Sequence, residues 1–233
     1  VAQVVPAPFS FGVEQILCDL IADGYLGELL SVEVSISQGF ANKETPFGWR
    51  HDRLMSGYNV MLMGAWYECL MRWLGPVSNV LAKTMVVVDS RLDHLGERRH
   101  IDIPDHVEIL GEFPSGAMLR MRVSEVLGHA LNGIWMYGTE GTLLVDLSRT
   151  RQYRGSDDDT YVYGGRRGDD ELVPITVPEE KVHGWRVEEE FINAIRGTEL
   201  VTRNTFEIGV RYMEFTEAVT RSAQSGKIVH LPL

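Results

Sequence analysis

The middle of the chain constrains the fold most, because it is a succession of short apolar segments separated by turn residues. A Pro-Ser-Gly turn at 114–116 and a Gly-Thr-Glu-Gly turn at 138–141 separate neighbouring segments, and such clusters favour tight turns. Short strands joined by tight turns predict a largely antiparallel sheet. The strand-like segments are residues 80–88, 107–113, 117–126, 133–137 and 142–145.

Helical patterns lie on both sides of these strands. They cover residues 11–23, 56–75, 181–196 and 205–224, and the apolar stripe of the last one (Phe206, Val210, Met213 and Ala218) predicts a core face. Further short strands are expected at 1–5, 29–38 and 228–231, and residues 149–170 are expected to be an exposed loop that holds at most a short hairpin.

The fold class that follows is α+β, with a large open, mainly antiparallel sheet and helices covering one face. The second face is left open, and an open face with apolar residues needs a cover. A homodimer or tetramer formed through the open sheet face is therefore expected.

Charge and composition exclude several classes of partner. The chain has 233 residues, of which 33 are acidic and 22 basic, giving a formal charge of −11 that is spread along the sequence. Nucleic-acid binding depends on clustered Lys and Arg, so nucleic acid is not an expected partner. No apolar run approaches the ~20 residues of a membrane span. The two cysteines, Cys18 and Cys69, lie in apolar stretches, which fits buried thiols in a reducing, cytoplasmic compartment.

Metal binding is not expected either. His94, His100 and His106 are six residues apart in a charged segment, and this spacing fits neither a helical nor a strand set of metal ligands.

The stretch from Ser56 to Gly75 has the outline of an active-site helix. It follows a Ser-Gly break, carries apolar residues at helical spacing, and ends at Gly75-Pro76, which predicts one continuous helix beginning near Asn59.

Several segments, in order along nearly the whole chain, are similar to one known family. Residues 24–29 read Gly-Tyr-Leu-Gly-Glu-Leu, similar to the family's G-x-I-G-E-I entry into a first sheet strand, and residues 137–143 are similar to its G-T-E-G-S-L strand and turn. The remaining matches are the Trp49-Arg50 pair before the Ser56 helix and residues 191–197, 222–227 and 229–232. Together they resemble the C-terminal domain of the glucose-fructose oxidoreductase, inositol dehydrogenase and rhizopine catabolism (Gfo/Idh/MocA) family.

The resemblance implies a substrate-binding and oligomerisation domain at residues 10–233, with residues 1–9 as the remnant of an absent N-terminal Rossmann domain. No G-x-G-x-x-G after a strand occurs in the chain. NAD or NADP would therefore be held by the absent domain, and this chain alone is expected to bind no dinucleotide and to be inactive.

The family's active-site helix carries an Asp and a His four residues apart, which serve substrate binding and proton transfer. Aligned on Gly64, these positions are Leu62 and Trp66 in this chain, and neither side chain can transfer a proton. Tyr67 is the candidate substitute acid, with a core aromatic whose hydroxyl is satisfied as the alternative. The next residue, Glu68, is expected to pair with Arg72 in an i,i+4 salt bridge.

The candidate substrate-binding residues are Trp49, Arg50, Asn59 and Trp66. In the family frame Trp49 and Arg50 stand at the cleft mouth, where Trp can stack on a sugar ring and Arg can clamp a carboxylate or phosphate. The alternative is a loop anchor beside a solvated Arg. Asn59 lies on the same helical face as Trp66, as a substrate contact or an N-cap.

The resemblance thus predicts part of an NAD(P)-dependent oxidoreductase acting on a small-molecule substrate, namely a sugar, cyclic polyol or related hydroxy compound. The alternative is a non-catalytic scaffold or binding protein that kept the fold after losing the Asp and His.

Overall fold

The computed structural model of the chain describes residues 1–9, 11–58, 63–147, 161–182 and 184–233. The helices are α1 Phe11–Ala22, α2 Arg53–Ser56, α3 Met63–Leu74, α4 Val187–Arg196 and α5 Phe206–Ser225. The strands are β1 Leu29–Ser37, β2 Asn79–Met85, β3 Ser90–Leu92, β4 Arg98–His100, β5 His106–Glu112, β6 Met118–Ser124, β7 Gly133–Gly138, β8 Gly141–Asp146, β9 Tyr161–Arg166, β10 Val173–Ile175 and β11 Val229–His230. Short 3-10 turns occur at Trp49–His51 and Glu179–Lys181.

Nine of these strands form one sheet in the order β10-β9-β8-β7-β1-β6-β5-β2-β11, and β3 pairs with β4 in a separate hairpin. The β1 and β6 strands run parallel, and the other described pairs are antiparallel. The predicted α+β class with a large, mainly antiparallel sheet is confirmed. The hairpin of β3 and β4 was not predicted, because its residues are mostly charged.

The covered face of the sheet packs against the helices. Alternate residues of each strand point to this face, as Leu119, Met121 and Val123 do on β6. The ring of Tyr67 on α3 stacks on Phe215 of α5 at 3.6 Å between centroids, inside the core that these helices and the sheet share. Burial of these side chains is the main source of stability.

The opposite face carries charged and apolar side chains without a helical cover. In the registers of β1, β5 and β6, Glu33 lies beside Arg120 and Glu108 beside Arg122. Leu81 of β2 lies directly opposite Leu110 of β5, and both are exposed. Within the described ranges, no helix is both long and apolar enough to cross a membrane.

Three local predictions were wrong. Residues 1–5 form no strand: the Val4 N–H donates to the Asn204 carbonyl, but no ladder extends from this bond. Residues 161–166 form β9, which pairs with β8 and β10, so a hairpin is present as allowed, but it belongs to the main sheet and is not an exposed loop. A Cβ on Gly164 would come within 2.6 Å of Tyr25 Oη, so this glycine permits close packing in a sheet. Residues 149–160 lie outside the described ranges.

The third error concerns α5. Phe206, Val210 and Met213 are more than half exposed, whereas Ala218 is buried as predicted. The predicted break at Ser56-Gly57 is present: α2 ends at Ser56, and Gly57 has φ of 63°. The described part of the helix that follows runs from Met63 to Leu74, and its predicted start near Asn59 lies outside the described residues.

Candidate substrate site

A pocket of about 240 Å³ lies at one edge of the sheet. At this edge β1, β6 and β2 end and β5 begins, as the pairing of Ser37 with Ser124, Ser124 with His106, and His106 with Met85 shows. We call it the loop pocket. It is lined by Gly48, Trp49, Arg50, His51, Ser56, Val88, Arg91, Ile101, Ile103, Pro104, Asp105 and Glu125.

Trp49 and Arg50 lie together on the wall of this pocket. The guanidinium carbon of Arg50 stands 4.2 Å from the centroid of the Trp49 ring, a cation-π contact that covers one face of the indole. Both side chains are exposed, and among the described residues Arg50 has no ion-pair partner. The structure therefore brings these two predicted residues to one pocket, and their contact with a substrate stays a prediction.

His51 presents its second ring nitrogen as a donor. Its Nδ1 accepts a hydrogen bond of 2.9 Å from the Gly48 N–H, which assigns the proton of the neutral ring to Nε2. Burial, followed by the positive charge of Arg91, lowers the pKa of His51. The ring is therefore held in the neutral form.

Arg91 comes from β3 and is nine-tenths buried. Its Nη1 donates to the carbonyls of Asn42 and Thr45, which ties the loop after β1 to the β3–β4 hairpin. Its Nε is buried, and no described residue accepts a hydrogen bond from it.

The two carboxyl groups in the pocket differ. Asp105 accepts from the backbone N–H groups of Val87 and Val88 at 2.8 to 3.1 Å. For Glu125, burial raises the pKa; nearby Asp105 adds to this, while Arg91 and Arg50 act in the opposite direction. Asp105 is thus occupied by the backbone, and Glu125 is held nearer to its neutral form than an exposed glutamate.

Sequence reasoning missed Arg91, Asp105 and Glu125. They are 42 to 76 residues beyond Trp49 and reach the pocket only because the sheet edge gathers them. A usable signal was the position of Glu125 at the end of the predicted strand 117–126, where the chain passes into a loop, since loops often carry functional side chains.

Tyr67 lies in the core, away from the loop pocket. Its side chain is 1 % exposed, and its Oη accepts a 3.0 Å hydrogen bond from the Val77 N–H. Burial is the main reason that its pKa rises to about 12. This matches the alternative of a core aromatic with a satisfied hydroxyl, and the geometry gives the predicted acid role no support.

Trp66 is also buried and stacks on Phe9, with ring centroids 4.7 Å apart and planes inclined by 25°. It therefore packs on the N-terminal segment and does not line the loop pocket. Asn59 and Leu62 lie outside the described residues. The predicted site residues are thus divided between the loop pocket and the buried side of α3.

Glu68 and Arg72 form the expected i,i+4 ion pair, and it is part of a larger buried group. Arg72 Nε donates to Glu14 of α1 at 2.8 Å, and Arg72 Nη2 donates to the Ala7 carbonyl. The Ala7 N–H donates to Glu68 at 3.0 Å. Burial raises the pKa of Glu68, and the charge of Arg72 opposes that rise. We call this group the helix network; it joins the N-terminal segment to α1 and α3.

Comparison with solved structures shows the same fold in several oxidoreductases. An NAD binding oxidoreductase from Klebsiella pneumoniae is 19% identical, with a TM-score of 0.79 over 100% of this chain and 67% of that one. Levoglucosan dehydrogenase in complex with NADH and L-sorbose is 17% identical, with a TM-score of 0.83 and the same coverage. Aldose-aldose oxidoreductase from Caulobacter crescentus is 17% identical, with a TM-score of 0.71 over 98% of this chain and 64% of that one.

The chain therefore spans about two thirds of the length of these neighbours. No curated protein matches it significantly. The family model described as the GFO/IDH/MocA C-terminal domain matches residues 15–144, more than half of the chain. The chain belongs to the Gfo/Idh/MocA family, as a C-terminal domain of that family.

Proposed function

We propose that the chain is the substrate-binding domain of an NAD(P)-dependent oxidoreductase that acts on a sugar, cyclic polyol or related hydroxy compound. The observation that carries the proposal is the loop pocket, where the Trp49 ring, guanidinium groups and carboxyl groups meet at the sheet edge. Aromatic and planar polar side chains of this kind suit a compound with many hydroxyl groups.

In this proposal a separate N-terminal domain holds the dinucleotide. An exposed apolar surface near the N-terminal segment supports it: Phe206, Val210 and Met213 on α5 are each more than half exposed. Beside them lies a groove of about 320 Å³ between residues 5–9 and α3. Apolar area of this kind marks an interaction site, and a second domain packed there would cover it.

The test uses the full-length protein with a panel of sugars and inositols, following nicotinamide absorbance. Reduction of NAD or NADP by at least one neutral sugar or polyol is expected. The chain alone should give no heat with NADH or NADPH in titration calorimetry. Tight binding of either dinucleotide to the chain alone would overturn the division into two domains.

The second candidate is a binding protein without catalytic activity. Trp66 stands where the family has its His, and it is buried against Phe9, so it supplies no proton-transfer group. A full-length protein that binds the dinucleotide yet reduces none with any member of the panel would favour this candidate.

We also propose that a second copy of the chain covers the open sheet face. Leu81, Leu110 and Met118 form an exposed apolar centre, bordered by the alternating charges of Glu33 with Arg120 and Glu108 with Arg122. A face that carries apolar side chains and charges of both signs is suited to pack against a second copy of itself, related by a two-fold axis.

Sedimentation velocity tests this association. L110E places a charge in the apolar centre and should shift the protein to monomer. L200E, at a more exposed leucine between α4 and α5, should leave the association unchanged. A wild-type protein that is monomeric at micromolar concentrations would contradict the proposal.

A further inference from the structure

The loop pocket presents hydrogen-bond donors for which no acceptor is found among the described residues. Its cationic and donor groups are Arg50, Arg91 and the Nε2–H of His51. Asp105 is already bonded to two backbone N–H groups. Among the described residues, Arg50 therefore stands in the pocket without an ion-pair partner, and Glu125 is the carboxyl that remains to be considered.

Arg50 is the donor best placed to meet a ligand. Its stacking on Trp49 uses the face of the guanidinium, and the N–H groups point out from the edge of that plane. The contact orders a side chain that would otherwise be mobile in water. Among the described residues no carboxylate lies within ion-pair distance of Arg50, so in that part of the chain its charge has no ion-pair partner.

Arg91 adds positive charge at the base of the pocket. Its guanidinium is held by the Asn42 and Thr45 carbonyls, which are neutral acceptors. Burial strengthens the effect of this charge, because the surroundings screen it less than water does.

Glu125 is the acidic group that opposes these cations. Its pKa is raised by burial and by Asp105 and lowered by Arg91 and Arg50, with a net rise. The raised pKa means that this carboxyl is held less firmly in its charged form than an exposed glutamate.

We propose that the loop pocket binds the anionic group of a small polyhydroxy compound, a carboxylate or a phosphate, with Arg50 pairing with the anion. Guanidinium groups bind both anions through two parallel hydrogen bonds. The pocket volume of about 240 Å³ suits a compound of monosaccharide size. Only the statement that this compound is a substrate rests on the proposed function; its binding does not.

The test is titration calorimetry on the full-length protein with four probes: gluconate, glucose 6-phosphate, glucose and acetate. At least one of the two anionic sugars should bind about 10-fold or more tightly than glucose, since a charge-assisted pair is gained. The stronger of the two identifies the anion as carboxylate or phosphate. Acetate binding as tightly as gluconate would show that only a free anion is recognised, and would overturn the polyhydroxy part of the proposal.

A matched pair of variants locates the contact. R50Q should weaken binding of the preferred anionic sugar about 10-fold or more and leave the affinity for glucose unchanged. R53Q removes a nearby exposed arginine that already pairs with Asp102 and does not line the pocket, so it should bind as wild type. Equal affinities for glucose and both anionic sugars, absence of binding by all probes, or an unchanged affinity in R50Q would each overturn the proposal.

Failure here is distinguishable from failure of the proposed function. Nicotinamide reduction with neutral sugars but no preference for anionic ones would refute the anion site and leave the oxidoreductase proposal intact. Anion binding that is lost in R50Q, without nicotinamide reduction by any compound, would keep the site and favour the non-catalytic binding protein.

Discussion

The helix network and the loop pocket contain the same kinds of charged side chain in opposite situations. In the helix network, Arg72 meets Glu14, Glu68 and the Ala7 carbonyl inside the chain. In the loop pocket, Arg50 meets the face of Trp49 and no carboxylate of the described chain. Charges that are paired internally hold elements together, whereas ordered charges without a partner are available to a ligand. The burial and the pairing of a charge, more than its residue type, separate structural from functional groups.

The largest effect is expected from breaking the helix network. E68A leaves the Ala7 N–H and one side of the Arg72 guanidinium without an acceptor in a buried place. Leaving a buried charge incompletely paired costs about 3–5 kcal/mol of unfolding free energy. Urea unfolding of the wild type and the variant measures this loss.

The matched control is E217A on α5. Glu217 and Arg221 form the same i,i+4 pair at 2.7 Å, but both side chains are more than half exposed, so the loss should be within about 0.5 kcal/mol. Equal losses in the two variants would break the distinction between buried and exposed pairs.

A second prediction uses the high pKa of Tyr67, whose hydroxyl is satisfied inside the core. The pKa rises from 10.0 to about 12 in the folded protein, so folding favours the protonated phenol. The contribution of Tyr67 is fully present below pH 10 and is lost as the pH rises from 10 to about 12. The loss amounts to about 3 kcal/mol, from the free energy equivalent of two pKa units.

Unfolding free energies of the wild type and Y67F between pH 8 and 12 test this. At pH 8 the variant should lose about 1 kcal/mol, the usual value of one hydrogen bond, and above pH 10 its stability should fall less steeply. If the unfolding free energies of the two proteins fell in parallel with pH, the ionisation of Tyr67 would not contribute to the loss of stability. Because the hydroxyl is enclosed, nicotinamide reduction by full-length Y67F should match that of the wild type.

The smallest effect on stability is expected in the loop pocket. R50Q removes an exposed guanidinium whose contact is the Trp49 ring, so unfolding free energy should change by less than about 0.5 kcal/mol. Thermal unfolding followed by circular dichroism measures it. A loss above about 1 kcal/mol would show that Arg50 supports the fold. The charged groups of the loop pocket would then be structural, like those of the helix network.

Much of the fold could be predicted because local patterns are decisive in a sheet with one buried face. Turn residues and alternating apolar positions gave strands close to β2, β5, β6, β7 and β8. The pattern was ambiguous at α5, where Phe206, Val210 and Met213 have helical spacing but face outward. Periodicity identifies an apolar face and does not say which neighbour covers it. The Gly164-Gly165 pair was interpreted as a loop signal, whereas Gly164 lies in β9 and has no room for a side chain beside Tyr25.

The sequence by itself determined the fold class, the order of most elements, the i,i+4 pair of Glu68 with Arg72, and the resemblance to a family that the chain proves to belong to. These depend on residues close together in sequence or on motif order. Only the tertiary structure decided that Tyr67 lies in the core and that Trp49 and Arg50 line one pocket with Arg91 and Glu125. The physical reason is that burial and long-range charge pairing arise only when the sheet edge and the helices assemble. The spacing of two residues along the sequence does not say how far apart they lie in the folded chain.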